Sequence, residues 1–346
     1  MKPDRLYLDH AATTPVLAAA REAMADALAR WANPSSPHAE GRAARAALED
    51  ARARIGAALG WNGEILFTSG ASEAIALALH GFDAVASAVE HDAVLAAVGD
   101  EARVAVDVNG IAQLHMIAKG RRYAVQQVNN ETGVIQPLDR LAIPIREGGG
   151  LLVADCSQSA GKLPLPDADI IILSAHKLGG PPGLGVLLLR DLGLLRPTGG
   201  QEKGYRRGTE NLPAVIGLAA ALEAGFDWLG KAGRLRARLD EAVTIAGGEV
   251  VAPAAPRLAT IGSYRMPGIS ASSQLIAFDL AGIAVSAGSA CSSGTLKASH
   301  VLTAMGWDAK AAGEVVRVSF GPQTAEADTD RFIAAWSAIR QRAQAA

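Results

Sequence analysis

Two apolar runs in this chain end in side chains that can do chemistry. Leu151-Leu152-Val153-Ala154 leads into Asp155, followed by Ser157 and Gln158. Ile170-Ile171-Ile172-Leu173 leads into Ser174, His176 and Lys177, then into the turn-rich Gly179-Gly180-Pro181-Pro182-Gly183. A carboxylate on one strand end beside a hydroxyl, an imidazole and a primary amine on another could bind a heteroaromatic cation and form an imine. A third segment, Phe67-Thr68-Ser69-Gly70-Ala71-Ser72-Glu73, passes from an apolar run into an alanine-rich stretch. Unpaired N–H groups at such a helix start can receive a phosphate dianion. A lysine for a Schiff base, an acid for a pyridine nitrogen and donors for a phosphate are together what pyridoxal 5'-phosphate requires. Each feature alone has a plainer reading. An Asp after a strand often caps a helix, Lys177 could be a solvated lysine, and Ser69 or Ser72 could be an ordinary cap. The turn lacks the Gly-Lys-Ser or Gly-Lys-Thr of a P-loop, and no Gly-x-Gly-x-x-Gly follows a strand.

Scarcity narrows the reactive residues. Lysine occurs eight times, so a Schiff-base lysine has few candidates. The two cysteines, Cys156 and Cys291, are too few for a disulfide framework or a four-cysteine zinc site, and a reducing cytoplasm is expected. Cys291 lies in Ser286-Ala287-Gly288-Ser289-Ala290-Cys291-Ser292-Ser293-Gly294, small residues without apolar periodicity, which reads as an exposed loop. A thiol there is a spare cysteine or a nucleophile able to attack a substrate sulfur. Cys156, directly after Asp155 at a strand end, reads as packed and inert.

The elements that must position these groups follow from apolar patterning. Seven short runs rich in Val, Ile and Leu alternate with longer stretches: 64–68, 84–89, 103–108, 123–128, 151–155, 170–174 and 185–190. The pattern predicts an α/β fold with a mostly parallel seven-stranded sheet flanked by helices. Ligands gather at the carboxyl ends of such strands. Alanine-rich stretches at 16–30 and 40–59 predict helices separated by the Asn33-Pro34-Ser35-Ser36-Pro37 loop. A long helical stretch over 212–246, with interruptions at Gly225 and Gly230, precedes strand-like runs at 258–263 and 315–320 and a terminal helix from Ala325. These form a smaller α+β domain. Charge nearly cancels, with 33 Lys+Arg against 35 Asp+Glu, so no global basic field exists to hold nucleic acid or an anionic membrane. The first residues carry charges where a signal peptide needs an apolar core, and no run approaches the roughly 18 apolar residues of a membrane helix, so a soluble, unprocessed protein is expected.

With these residues in hand, the chain resembles the cysteine desulfurases of the NifS/IscS type, within the class V aminotransferase group of pyridoxal-phosphate enzymes of fold type I. The matching segments run almost end to end: Tyr7 to Pro15, Asn33 to Ser36, Phe67 to Glu73, Glu90-His91, Asn129-Asn130-Glu131-Thr132-Gly133, Asp155 to Lys162, Ser174 to Gly185, Gly204 to Asn211, Ser286 to Ser292, and Arg317 to Gly321. The resemblance implies that Lys177 holds the cofactor as an imine, that Asp155 pairs with the pyridine nitrogen and that His91 stacks on the ring. Gln158 and Asn130 would orient the cofactor. Ala71, Ser72, Ser174 and His176 would hold its phosphate, joined by Thr209 from the other subunit of a homodimer. Arg317, assisted by Asn33, would clamp the carboxylate of the substrate, L-cysteine. Cys291 would take the sulfur as a persulfide, leaving alanine, and pass it to an acceptor or iron–sulfur scaffold protein. No metal is implied. The resemblance divides the chain into a large cofactor domain over 13–230 and a small domain formed by 1–12 and 231–346.

The chain departs from the family pattern in five respects. It is shorter between Ala71 and Val128, and Ser72 stands where threonine is common. Arg207 replaces a common serine, and Pro322 a frequent arginine. It also ends at Ala346 without the tail expected to dock an iron–sulfur scaffold. Selenocysteine cleavage, transamination or a non-catalytic assembly role are the competing readings. The basic stretch Lys203-Gly204-Tyr205-Arg206-Arg207 is better assigned to dimer and phosphate contacts than to nucleic acid.

Overall fold

The structure is a computed structural model that describes residues 5–30, 32–99, 103–114, 117–290 and 296–345. Seven strands form one sheet: β1 (Glu64–Thr68), β2 (Ala84–Ser87), β3 (Arg103–Val104), β4 (Arg122–Ala124), β5 (Leu151–Asp155), β6 (Ile170–Ser174) and β7 (Gly185–Leu189). Their spatial order is β1-β7-β6-β5-β4-β2-β3. Only β7 runs against the rest, antiparallel to both β1 and β6. The other neighbours pair in parallel. The ends of β1, β5 and β6 therefore reach the same edge of the sheet.

Burial explains the patterning. β6 and β7 are buried at every residue, as befits strands covered on both faces. Alternate residues serve opposite cores. Leu152, Ala154, Ile171 and Leu173 pack with the inward residues of α2 (Ala39–Leu59), α5 (Leu138–Glu147) and α6 (Leu212–Glu223). Val153, Ile170 and Ile172 pack with α3 (Ala71–Leu79) and with Val94 of α4 (Asp92–Val98). The result is a three-layer helix–sheet–helix sandwich. On α2, Ala44, Leu48, Ala51 and Ile55 recur at helical spacing and are buried. Gly60 then ends the helix in the left-handed region at φ 66°, where a side chain would be strained.

A second core lies around a four-stranded antiparallel sheet of β8 (Glu249–Val250), β9 (Ile261–Arg265), β10 (Ser286–Ala287) and β11 (Val315–Ser319), in the order β10-β11-β9-β8. Helices α7 (Leu229–Ile245), α8 (Ala271–Leu280) and the terminal Glu326–Ala345 cover it. Phe278 and Phe332 stack there at 4.8 Å between ring centroids. The N-terminal strand Leu6–Tyr7 pairs in parallel with Ile283–Ala284, and its Leu6 and Leu8 enter this second core.

Boundaries differ from the sequence reading in instructive places. The runs at 103–108 and 123–128 yield only two and three paired residues. Regular pairing stops at Val104 and Ala124, although the Val125 and Gln127 N–H groups still bond to the Val153 and Asp155 carbonyls of β5, and Val125 and Val128 remain buried in the core. The run read at 258–263 pairs instead over Ile261–Arg265. The stretch 212–246 is two helices: Gly225, at φ 75°, breaks it, whereas Gly230 lies inside α7.

Candidate active site

Register builds the site. Gly185, the first residue of β7, lies opposite both Thr68 at the end of β1 and Ser174 at the end of β6. It brings the two strand ends, and the α3 start that follows Thr68, to one place. A Cβ on Gly185 would overlap the backbone of Gly70, so the missing side chain is what allows this close approach. The α3 cap, Gly70, supplies no side-chain bond to the first helical N–H groups, which leaves them to a ligand.

A cavity of about 280 Å³ opens at this edge, lined among others by Ala71, Ser72, His91, Asp155, Ser174, His176 and Lys177. Lys177 closes the single turn Ala175–Lys177 that follows β6. Burial lowers the pKa of its ammonium; Asp155 and Asp9 oppose the shift and Arg317 adds to it. A buried amine displaced toward its neutral form is a nucleophile for a carbonyl. Asp155 Oδ1 accepts the Ser157 N–H at 2.9 Å, which fixes the carboxylate at the end of β5. His91 caps α4, with Nδ1 accepting from the Ala93 N–H at 3.2 Å. A neutral His91 ring consequently carries its proton on Nε2. Burial and the Lys177 charge lower its pKa while Asp155 raises it. His176 lies 3.1 Å through Nδ1 from Thr13 Oγ1, and burial, then Lys177, lowers its pKa as well.

The remaining sequence candidates lie around this cavity or away from it. Gln158 is buried, its Nε2 donating to the Ala11 carbonyl at 2.8 Å and its Oε1 left without a partner. Asn130 is half-buried, and its carbonyl accepts from Arg317 Nη1 at 2.8 Å. Arg317 occupies β11 between β9 and β10, paired with Ser263 and Ser286, and is only 5% exposed. Its Nη2 meets Asp9 Oδ1 at 2.7 Å. A surface ion pair is therefore not its setting. Asn33 and Thr209 are exposed, outside the cavity lining; the Asn33 side chain accepts the Ser35 N–H at 2.9 Å. Cys291 lies outside the described residues. Cys156 is fully buried, and burial, then Asp155, pushes its pKa well up.

Sequence reasoning passed over several groups that neighbour the site residues. Asp9 holds Arg317 across 308 positions of chain. The buried Glu90, beside His91, accepts from Ser87 Oγ at 2.6 Å and the Gln126 N–H at 2.9 Å. Burial pushes its pKa up to about 8. Lys162 Nζ lies 3.4 Å from the Lys177 carbonyl, its pKa lowered to about 8 by burial and the Lys177 charge. All three stood inside motif segments, but nothing in their type or spacing distinguished them from packing residues.

The Aminotransferase class-V family profile matches residues 6–332. The chain belongs to the class-V aminotransferase family. It is 36% identical to a cysteine desulfurase of Gluconacetobacter diazotrophicus, over 95% of this chain and 91% of that protein. It is 34% identical to cysteine desulfurase IscS 1 of Archaeoglobus fulgidus, over 97% of each. Among solved structures, a NifS-like protein superposes with a TM-score of 0.89 at 29% identity, covering 98% of this chain and all of that one. The family works with pyridoxal phosphate, and the cavity fits that group. Ser157 Oγ lines it, buried and without a partner, and the bare α3 start and Ser174 suit a phosphate. Asp155 and Lys177 supply the acid and the amine. Among the described residues no helix is long and apolar enough to cross a membrane. Nor does any group of His, Cys, Asp or Glu there form a metal site.

Proposed function

We propose that this chain is a pyridoxal-phosphate-dependent cysteine desulfurase, converting L-cysteine to L-alanine with the sulfur retained on Cys291. The observation that carries the reading is the meeting of Lys177, Asp155, His91 and an anion cradle in one cavity, with the guanidinium of Arg317 close enough to lower the Lys177 pKa. When bound, the cofactor withdraws electrons from the substrate Cα, which makes the α-proton labile.

The chain's own residues do the rest. Asp155 accepts the pyridine N–H and keeps that nitrogen protonated. Ala71, Ser72, Ser174 and His176 hold the phosphate, with Thr209 of a second copy completing the cradle in a homodimer. His91 covers the ring, and Gln158 and Asn130 set its orientation. Arg317 receives the substrate carboxylate through its planar fork, helped by Asn33. Lys177 Nζ, free as an amine, would take the α-proton and return a proton to carbon. Cys291 Sγ bonds to the substrate sulfur as the carbon–sulfur bond breaks. In net terms a thiol and cysteine become a persulfide and alanine, with no outside oxidant. The sulfur then passes to an acceptor or iron–sulfur scaffold protein in the cytoplasm. The division into 13–230 and 1–12 with 231–346 belongs to the same reading, and the separate cores of the two sheets support it.

The test supplies L-cysteine and a reductant to the purified, cofactor-loaded protein and quantifies alanine and sulfide. Both should appear in step. Cofactor bound without either product would overturn the assignment.

A further inference from the structure

The chain enters and leaves the Cys291 segment through a short antiparallel ladder, Ser289–Ala290 with Leu296–Lys297. The described residues that flank this ladder, Gly288 before it and Ser299-His300 after it, meet the cofactor side of the molecule at named atoms. Ser299 is buried, caps the helix His300–Ala304, and its Oγ donates to Glu131 Oε2 at 2.5 Å. Gly288 packs on the same carboxyl group so closely that a Cβ there would overlap Oε2. His300 Nε2 lies 2.9 Å from the Glu90 carbonyl, and its Nδ1 faces Asp92 at 3.9 Å.

Glu131 is itself held rigidly. Its N–H is bound by Asn129 Oδ1 at 2.9 Å, and its carbonyl accepts from Ser263 Oγ at 2.5 Å on β9. It directly follows Asn130, whose carbonyl holds Arg317, while Glu90 directly precedes His91. Each attachment thus falls one residue from a group that the proposed reaction uses. Burial pushes the Glu131 pKa up, opposed by the Ser299 bond and the charges of His300 and Arg317, which favours a neutral acid as the inner partner.

We infer that Glu131 is a positioning residue: through Ser299 and Gly288 it moors the ladder that flanks the Cys291 segment in register with the substrate clamp and the cofactor cavity. The inference rests on the desulfurase reading for its catalytic consequence, but the mooring can be read independently. A reacting sulfur misplaced by about an ångström loses on the order of a hundredfold in rate, so a loosened ladder should tell on turnover rather than on binding.

Three holoenzymes decide it: wild type, Glu131→Ala and Glu131→Gln. Glu131→Ala should lower kcat for alanine formation about tenfold or more, with KM and cofactor absorbance unchanged. It should also speed amide hydrogen exchange across 288–300 while leaving 151–189 unaltered. Glu131→Gln, neutral and still an acceptor for Ser299 Oγ, should restore both readouts to near wild type. Unchanged exchange and unchanged kcat in Glu131→Ala would overturn the mooring, and so would equal loss of cofactor absorbance in both variants. A wild type that binds cofactor yet releases no alanine would sink the desulfurase reading alone, leaving the exchange arm to judge the mooring.

Discussion

The cofactor cavity and the ladder that flanks the Cys291 segment are built by different means. Asp155, Ser174 and Lys177 stand at the ends of fully or nearly fully buried strands, so their places are set by the ladder of the seven-stranded sheet. The Cys291 segment is flanked by a two-residue ladder, beside which single side-chain bonds run from Ser299 to Glu131 and from His300 to the Glu90 carbonyl. A sheet edge is over-determined by many backbone bonds. A pairing this short leans more heavily on each such side-chain bond. The cofactor cavity thus rests on the many backbone bonds of the sheet, and the ladder that flanks the Cys291 segment on a short pairing and a few side-chain contacts.

The largest test of this contrast is Lys177→Ala, which should remove the visible absorbance of the lysine-bound cofactor and cut alanine formation on the order of a thousandfold or more. An unchanged spectrum would exclude Lys177. Cys291→Ser strikes the other region instead. It should abolish alanine release while sparing cofactor absorbance and the spectral change on adding L-cysteine. The parallel Cys156→Ala should keep turnover, because that thiol is fully buried with its pKa well raised. Arg317→Lys sits between the two regions. Losing the fork costs about 1.5–3 kcal/mol, read as a roughly tenfold to hundredfold fall in kcat/KM. Retention of full kcat/KM would free Arg317 from the clamp role.

The smallest effect concerns Glu90. Its pKa is raised from 4.5 to about 8, mainly by burial, against the bonds from Ser87 and Gln126 and with the Asp155 charge adding to the rise. Between those values the folded state keeps a proton that the unfolded state loses, so stability should fall as pH rises from about 4.5 through 8. Glu90→Gln should flatten that slope in denaturant midpoints measured across the range. An identical slope in the variant would place the titration elsewhere.

Much of this was legible in the sequence where burial leaves a simple mark. β5 and β6 match their apolar runs residue for residue, because strands covered on both faces read as continuous Val, Ile and Leu. The same signal overran β3 and β4, since Val125 stays buried and bonded to Val153 beyond the regular strand. α8 and β8 were not foreseen: Ala271–Leu280 has little amphipathic pattern and Glu249–Val250 is only two residues long. At the site, residue types announced the amine, the acid and the phosphate donors. The supports of those residues were silent, because the Asp9–Arg317 and Ser299–Glu131 bonds join positions 308 and 168 residues apart. Such pairs become visible only when topology brings them together.

Gly185 shows how a site can depend on empty space. Its position is constrained by volume: an alanine there would add no charge, take part in no reaction and still force the Gly70 backbone away from the sheet. The anion cradle would widen without losing a single donor. A survey of tolerated replacements would mark position 185 as sharply as Lys177, although one offers an amine and the other only its smallness.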